Sequence, residues 1–103
     1  MGKSQDIDEL TNLMSVALRH RVGSLVNENE FYAARYAKDA DHIMKQAEKV
    51  LLRHNWNSED KKLIKELLHK KLYKELEEKE FIDNKKFQIM DYEIDKALKQ
   101  FNL

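Results

Sequence analysis

The chain has 103 residues, with 19 Lys and Arg against 19 Asp and Glu, so its formal charge is zero and no global positive excess draws it to nucleic acid or anionic lipid. It contains no Cys, which excludes disulfide frameworks, thiolate zinc sites and thiol nucleophiles, and no apolar run approaches the roughly 18 residues of a membrane span. The expectation is one domain over residues 1–103, cytoplasmic and without a membrane partner: no secretory apolar segment opens the chain, and Asp6 stands where a myristoylation signal has Ser or Thr.

Pro is absent and Gly occurs only at Gly2 and Gly23, so tight hairpin turns have little to build on, while Leu, Ala, Lys and Glu favour helix. The expected fold is all-α, a small antiparallel bundle of four helices over about 6–26, 28–54, 59–80 and 84–102. The first starts at Asp6, whose carboxylate and Glu9 have capping-box spacing, and carries the stripe Ile7, Leu10, Met14, Ala17, Leu18 and Leu25. Gly23-Ser24 is a pair that commonly kinks a helix. Asn27 and Glu30 repeat the capping spacing ahead of a second helix. Its seam of Ala33, Ala37, Ala40, Met44, Ala47 and Leu51 would let a partner helix come close, which makes it the expected central packing element.

Ser58, followed by Glu59 and Asp60, marks the third start, with the stripe Leu63, Ile64, Leu67, Leu68, Leu72 and Leu76. The period slips around Phe81-Ile82-Asp83-Asn84, and a fourth helix follows on Phe87, Met90, Ile94, Ala97, Leu98 and Phe101. A single rod through residue 82 is the alternative to two separate helices.

Arg35 and His42 are separated by six residues on the second helix, an arrangement that resembles the R-x(4–6)-H motif of HEPN domains, which are helical and often cleave RNA. The resemblance covers those two residues, and Tyr36 follows Arg35 where the family has a polar residue. It implies that Arg35 would steady a phosphate and His42 would move a proton. A solvated face with an Arg35–Asp39 pair explains the same residues without chemistry.

Metal sites are weighed on Asp39-x-x-His42 and Glu66-x-x-His69, spacings that carboxylate-bridged dimetal bundles use. Both His lie far around their helices from the apolar stripes, and Glu93 lies off the fourth stripe, so neither a metal nor any other cofactor is expected. Gly-rich phosphate loops, G-x-S-x-G and H-E-x-x-H are absent.

Nucleic-acid contacts would fall on Arg19, His20 and Arg21 and on the basic edge Lys61, Lys62 and Lys65, although zero net charge disfavours that partner. Trp56 either plugs the end of the bundle or stacks on a ligand. Tyr32, Ile89 and Tyr92 fall off their helices' stripes and, with Trp56, are candidates for a protein interface. The functional expectation is a non-enzymatic protein-interaction or regulatory module that binds another protein or a copy of itself. A HEPN-like RNA endonuclease or toxin–antitoxin-type helical protein, and a nucleic-acid-binding accessory protein, are the alternatives.

Overall fold

Lys3–Val26 form one unbroken 24-residue helix, α1, in a computed structural model that describes residues 2–78 and 85–103. Helices α2 (Glu30–Leu51), α3 (Ser58–Glu77) and α4 (Lys85–Gln100) follow. At a rise of 1.5 Å per residue α1 is about 36 Å long, and it sets the long dimension of the 40 × 22 × 21 Å particle. The all-α class and the four elements match the sequence expectation, and no helix among the described residues is long and apolar enough to cross a membrane. The predicted period slip at Phe81–Asn84 lies outside the described residues.

Side-chain pairings give the directions. Asp6 near the start of α1 meets Arg53 and His54 just past the end of α2, while Gly23 near the end of α1 lies against Tyr36 early in α2, so these two helices are antiparallel. Lys3 pairs with Asp60 and Arg19 with Glu75, so α1 and α3 are parallel. His69 faces Asp91 and Tyr73 faces Phe87, which makes α3 and α4 antiparallel and separate, and removes the single-rod alternative.

The centre is α1, not α2. Among the described residues helix α1 packs against all three others, α3 packs also against α4, and α2 approaches α1 alone. That arrangement explains why α1 is buried around much of its circumference, including Asp6, Thr11 and Ser15 as well as the apolar stripe. The two hydroxyls are satisfied locally: Thr11 Oγ1 donates to the Ile7 carbonyl at 2.9 Å and Ser15 Oγ to the Asn12 carbonyl at 2.9 Å. The core gathers Ile7, Leu10, Met14, Leu18 and Val22 of α1 with Ile64, Leu68, Leu72 and Leu76 of α3 and Met90, Ile94, Ala97 and Leu98 of α4. From α2 it takes Ala47 and Val50. The alanine side of α2 does face inward, as the spacing predicts.

The caps correct the sequence reading. The first helix begins at Lys3 behind Gly2, with no side-chain cap, and Asp6 sits in its first turn with its carboxylate committed to α2. Asn29 rather than Asn27 caps α2, its Oδ1 accepting from the Phe31 and Tyr32 amides at 3.0 and 3.3 Å. Asn57 rather than Ser58 caps α3, in a reciprocal capping box with Asp60. Helix α2 ends at Leu51, three residues short of expectation. Gly23-Ser24 leaves α1 continuous, because Ser24 Oγ is occupied with the Arg21 carbonyl and Gly23 serves close packing. Asn102 adopts φ 58° after α4, and the Leu103 amide bonds the Leu98 carbonyl at 2.8 Å, closing the helix in a Schellman turn.

Candidate functional site

The connection from α1 to α2 is short and internally bonded. The Asn27 amide bonds the Gly23 carbonyl at 3.1 Å, Asn27 Oδ1 accepts from the Asn29 amide at 2.9 Å, and Asn29 then caps α2. These bonds fix the backbone at a corner whose side chains are apolar and exposed: Leu25 at 50%, Phe31 at 71% and Tyr32 at 52%. Phe31 and Tyr32 sit edge to face, ring centroids 5.7 Å apart. Beneath them Tyr36 turns inward against Gly23, with the His20 ring 5.9 Å away, while His20 Nδ1 donates to the Val16 carbonyl at 2.8 Å. Tyr32 thus stands where the off-stripe argument places it. Leu25, expected in the α1 stripe, is instead part of the exposed corner, and Val22 takes the buried position.

The other interface candidates divide. Tyr92 is exposed at 68% on α4, away from the corner. Ile89 is half-buried and packs on the core, so α4 has more cover than its own wheel suggests. Trp56 belongs to the structure: it packs on the core, donates Nε1–H to the Leu51 carbonyl at 2.8 Å, and lies 5.3 Å from the His54 ring with Lys3 Nζ 5.7 Å from its centroid.

The two basic clusters do not merge. Consecutive helical residues point about 100° apart, so Arg19 turns to Glu75 of α3, His20 to Tyr36 of α2 and Arg21 to Glu93 of α4. Arg19 Nε is 3.0 Å from the Glu75 carboxylate but not aligned for a hydrogen bond. Lys62 and Lys65 are exposed and Lys61 half-buried on the first turns of α3. Arg19 meets that helix at Glu75, ten residues beyond Lys65 and about 15 Å further along it.

Arg35 and His42 are both exposed on α2. The Gln46 amide donates to His42 Nε2 at 3.3 Å, and Arg35 makes no ion pair among the described residues, the expected Arg35–Asp39 pair included. No acid or hydroxyl among the described residues joins the two into a catalytic group. His69 donates Nδ1–H to the Lys65 carbonyl at 2.9 Å and faces Asp91 at 3.5 Å. Among the described residues no three His, Asp or Glu side chains gather in a geometry that could hold a metal ion.

Sequence reasoning misses the polar cluster at the opposite end from the corner. The buried Asp6 carboxylate accepts from Arg53 Nη1 at 3.1 Å and from His54 Nε2, and the same Arg53 nitrogen reaches Glu9 at 3.1 Å. The His54 hydrogen bond, with a smaller contribution from Arg53, holds the Asp6 carboxyl below the usual carboxylate range against the opposing effect of its burial. Asp60 is likewise lowered, first by Lys3 and then by the Asn57 amide. This cluster ties α1 to the exit of α2; it is a structural fastening. Comparison of the chain with protein-family models, with curated proteins and with solved structures found no match.

Proposed function

We propose that this protein is a helical interaction module that associates with a second copy of itself through the α1–α2 corner. The observation that carries this reading is the exposed set Leu25, Phe31 and Tyr32, mounted on a backbone fixed by Asn27 and Asn29. A rigid aromatic pair loses little conformational entropy on docking, which is why Tyr and Phe concentrate in the centres of protein interfaces. The 19-to-19 charge balance favours a like partner, because two copies approach without long-range repulsion.

Sedimentation velocity over a concentration series tests it. The native chain is expected to shift reversibly toward dimer as concentration rises, and a Phe31→Ser, Tyr32→Ser double variant is expected to stay monomeric with an unchanged helical spectrum. A native chain that remains monomeric throughout, or a variant that associates as the native does, overturns the reading.

A further inference from the structure

Because α2 packs on α1 alone, it leaves a cleft between itself and α4, floored by α1. The cleft has a volume of about 370 Å³, within the range of small-molecule sites. Its apolar part comes from all three helices: Ala17 and Leu18 of α1, Ala40 and Met44 of α2, and Ala97 of α4. Glu93 of α4 lines the same space and is only 4% exposed, yet its carboxylate accepts no hydrogen bond from any described residue. The cation nearest to it is Arg21, whose Nε lies 3.8 Å away, beyond hydrogen-bond reach. The Arg21 guanidinium also donates to no described residue. The Glu93 oxygens open onto the cleft rather than onto a protein donor, and the partly exposed Arg21 guanidinium beside them has unused donors, so a carboxylate and a guanidinium are both open to a ligand in the same place.

We propose that this cleft binds a free α-amino acid with an apolar side chain of about leucine or methionine size. An α-amino acid carries its ammonium and carboxylate on one carbon, so one ligand can donate to Glu93 and accept from Arg21 together, with charge-assisted hydrogen bonds to both. Its side chain then lies on the alanine and methionine floor. The rim selects against either ion alone. Three carboxylates, Asp41, Glu48 and Glu93, face three cations, Arg21, Lys45 and Lys96, so the cleft carries no net sign and suits a ligand that is neutral overall. An organic amine would set its charge beside Arg21, and an organic acid would set its charge beside Glu93. Bound there, the amino acid would bridge α2 to α4, helices whose backbones are not in contact among the described residues.

The test is an NMR titration of the full chain with L-leucine and L-methionine, read at the Met44 methyl and the Ala40 and Ala97 amides. 3-Methylbutylamine, which lacks the carboxylate, and 4-methylpentanoate, which lacks the ammonium, are titrated in parallel. Saturable shifts at these positions are expected with the amino acids, and each analogue should bind about tenfold or more weakly. Arg21→Gln and Glu93→Gln should each weaken L-leucine by a similar factor. Arg21 is partly exposed, so its variant keeps the test usable where the Glu93 variant does not fold. The proposal is overturned by no saturable shift with either amino acid, by an analogue binding as tightly as L-leucine, or by an Arg21→Gln protein that binds unchanged.

Discussion

The two sides of α1 are built from different side chains. Toward α3 and α4 the buried partners are Ile64, Leu68, Leu72, Leu76 and Ile94; toward α2 they are Ala40, Ala47 and Val50, with Gly23 of α1 itself beneath Tyr36. Large aliphatic residues stabilise through the area they remove from water, roughly 25 cal/mol per Å². Alanine and glycine remove little, but they let two helix backbones come close. Helix α2 therefore depends more on the polar fastening at its exit, where Asp6 holds Arg53 and His54, and its other end carries the exposed corner. Regions with few buried apolar contacts open at lower free energy than the rest of a fold. The expectation is that α2 opens at lower free energy than the α1–α3–α4 unit.

Cutting into each side in turn measures that difference. Leu68 is fully buried, and Leu68→Ala should destabilise the protein by about 2–5 kcal/mol, the usual range for such a cavity. Val50→Ala removes two methyl groups on the α2 side and should cost about 2 kcal/mol or less. Urea midpoints at constant slope give both numbers. Equal losses would mean that α2 is held as firmly as α3.

The polar fastening predicts a pH dependence. Since the Asp6 carboxyl is lowered in the folded state, its contribution is complete above the unfolded value of about 3.9 and disappears as pH falls through the lower folded value. Asp60 acts in the same direction, so native stability should fall on acidification. Asp6→Asn should be less stable at neutral pH and show a shallower acid limb, with the slope that remains coming in part from Asp60. Thermal melts from about pH 7 to about pH 2.5 would show it. Parallel curves for the native and variant proteins would remove Asp6 from the account.

How far the sequence reveals this arrangement depends on which interactions are periodic. The helices are legible because Ile64, Leu68, Leu72 and Leu76 repeat every four residues and Ala33, Ala37, Ala40, Met44 and Ala47 alternate three and four. A stripe shows that a face is buried but not which helix buries it, so the alanine seam of α2 reads as the middle of the bundle when it is one flank. Thr11 and Ser15 look like surface residues because their hydroxyls are satisfied by carbonyls of the preceding turn, a local bond that leaves no mark on the pattern. Asp6 and Arg53 are 47 positions apart, so Asp6 reads as a helix cap. Glu93 sits roughly a quarter turn from the centre of the α4 stripe, and only the cover of α1 makes it buried. Among the candidate residues, Tyr32 and Tyr92 are legible because exposure follows from one helix alone. The roles of Trp56 and Arg21 depend on neighbours that one helix cannot supply.

The smallest effect is the most discriminating for the α1–α2 contact. Alanine is favoured over glycine inside a helix by about 1 kcal/mol, so Gly23→Ala should stabilise α1 where space allows. The added Cβ would lie 3.4 Å from Tyr36 Cδ2 and 3.7 Å from Cε2, at the near edge of ordinary van der Waals contact, so the ring has to yield little. The expected net result is a gain smaller than about 1 kcal/mol, measured as a higher urea midpoint with the slope unchanged. A loss would mean that the two backbones are already at their limit of approach, and that Gly23 is required for α2 to seat at all. In that event a larger residue at Gly23 should loosen α2 while the Leu68 side of the core stays protected from hydrogen exchange, which is the same asymmetry between the two sides of α1 seen from its weaker member.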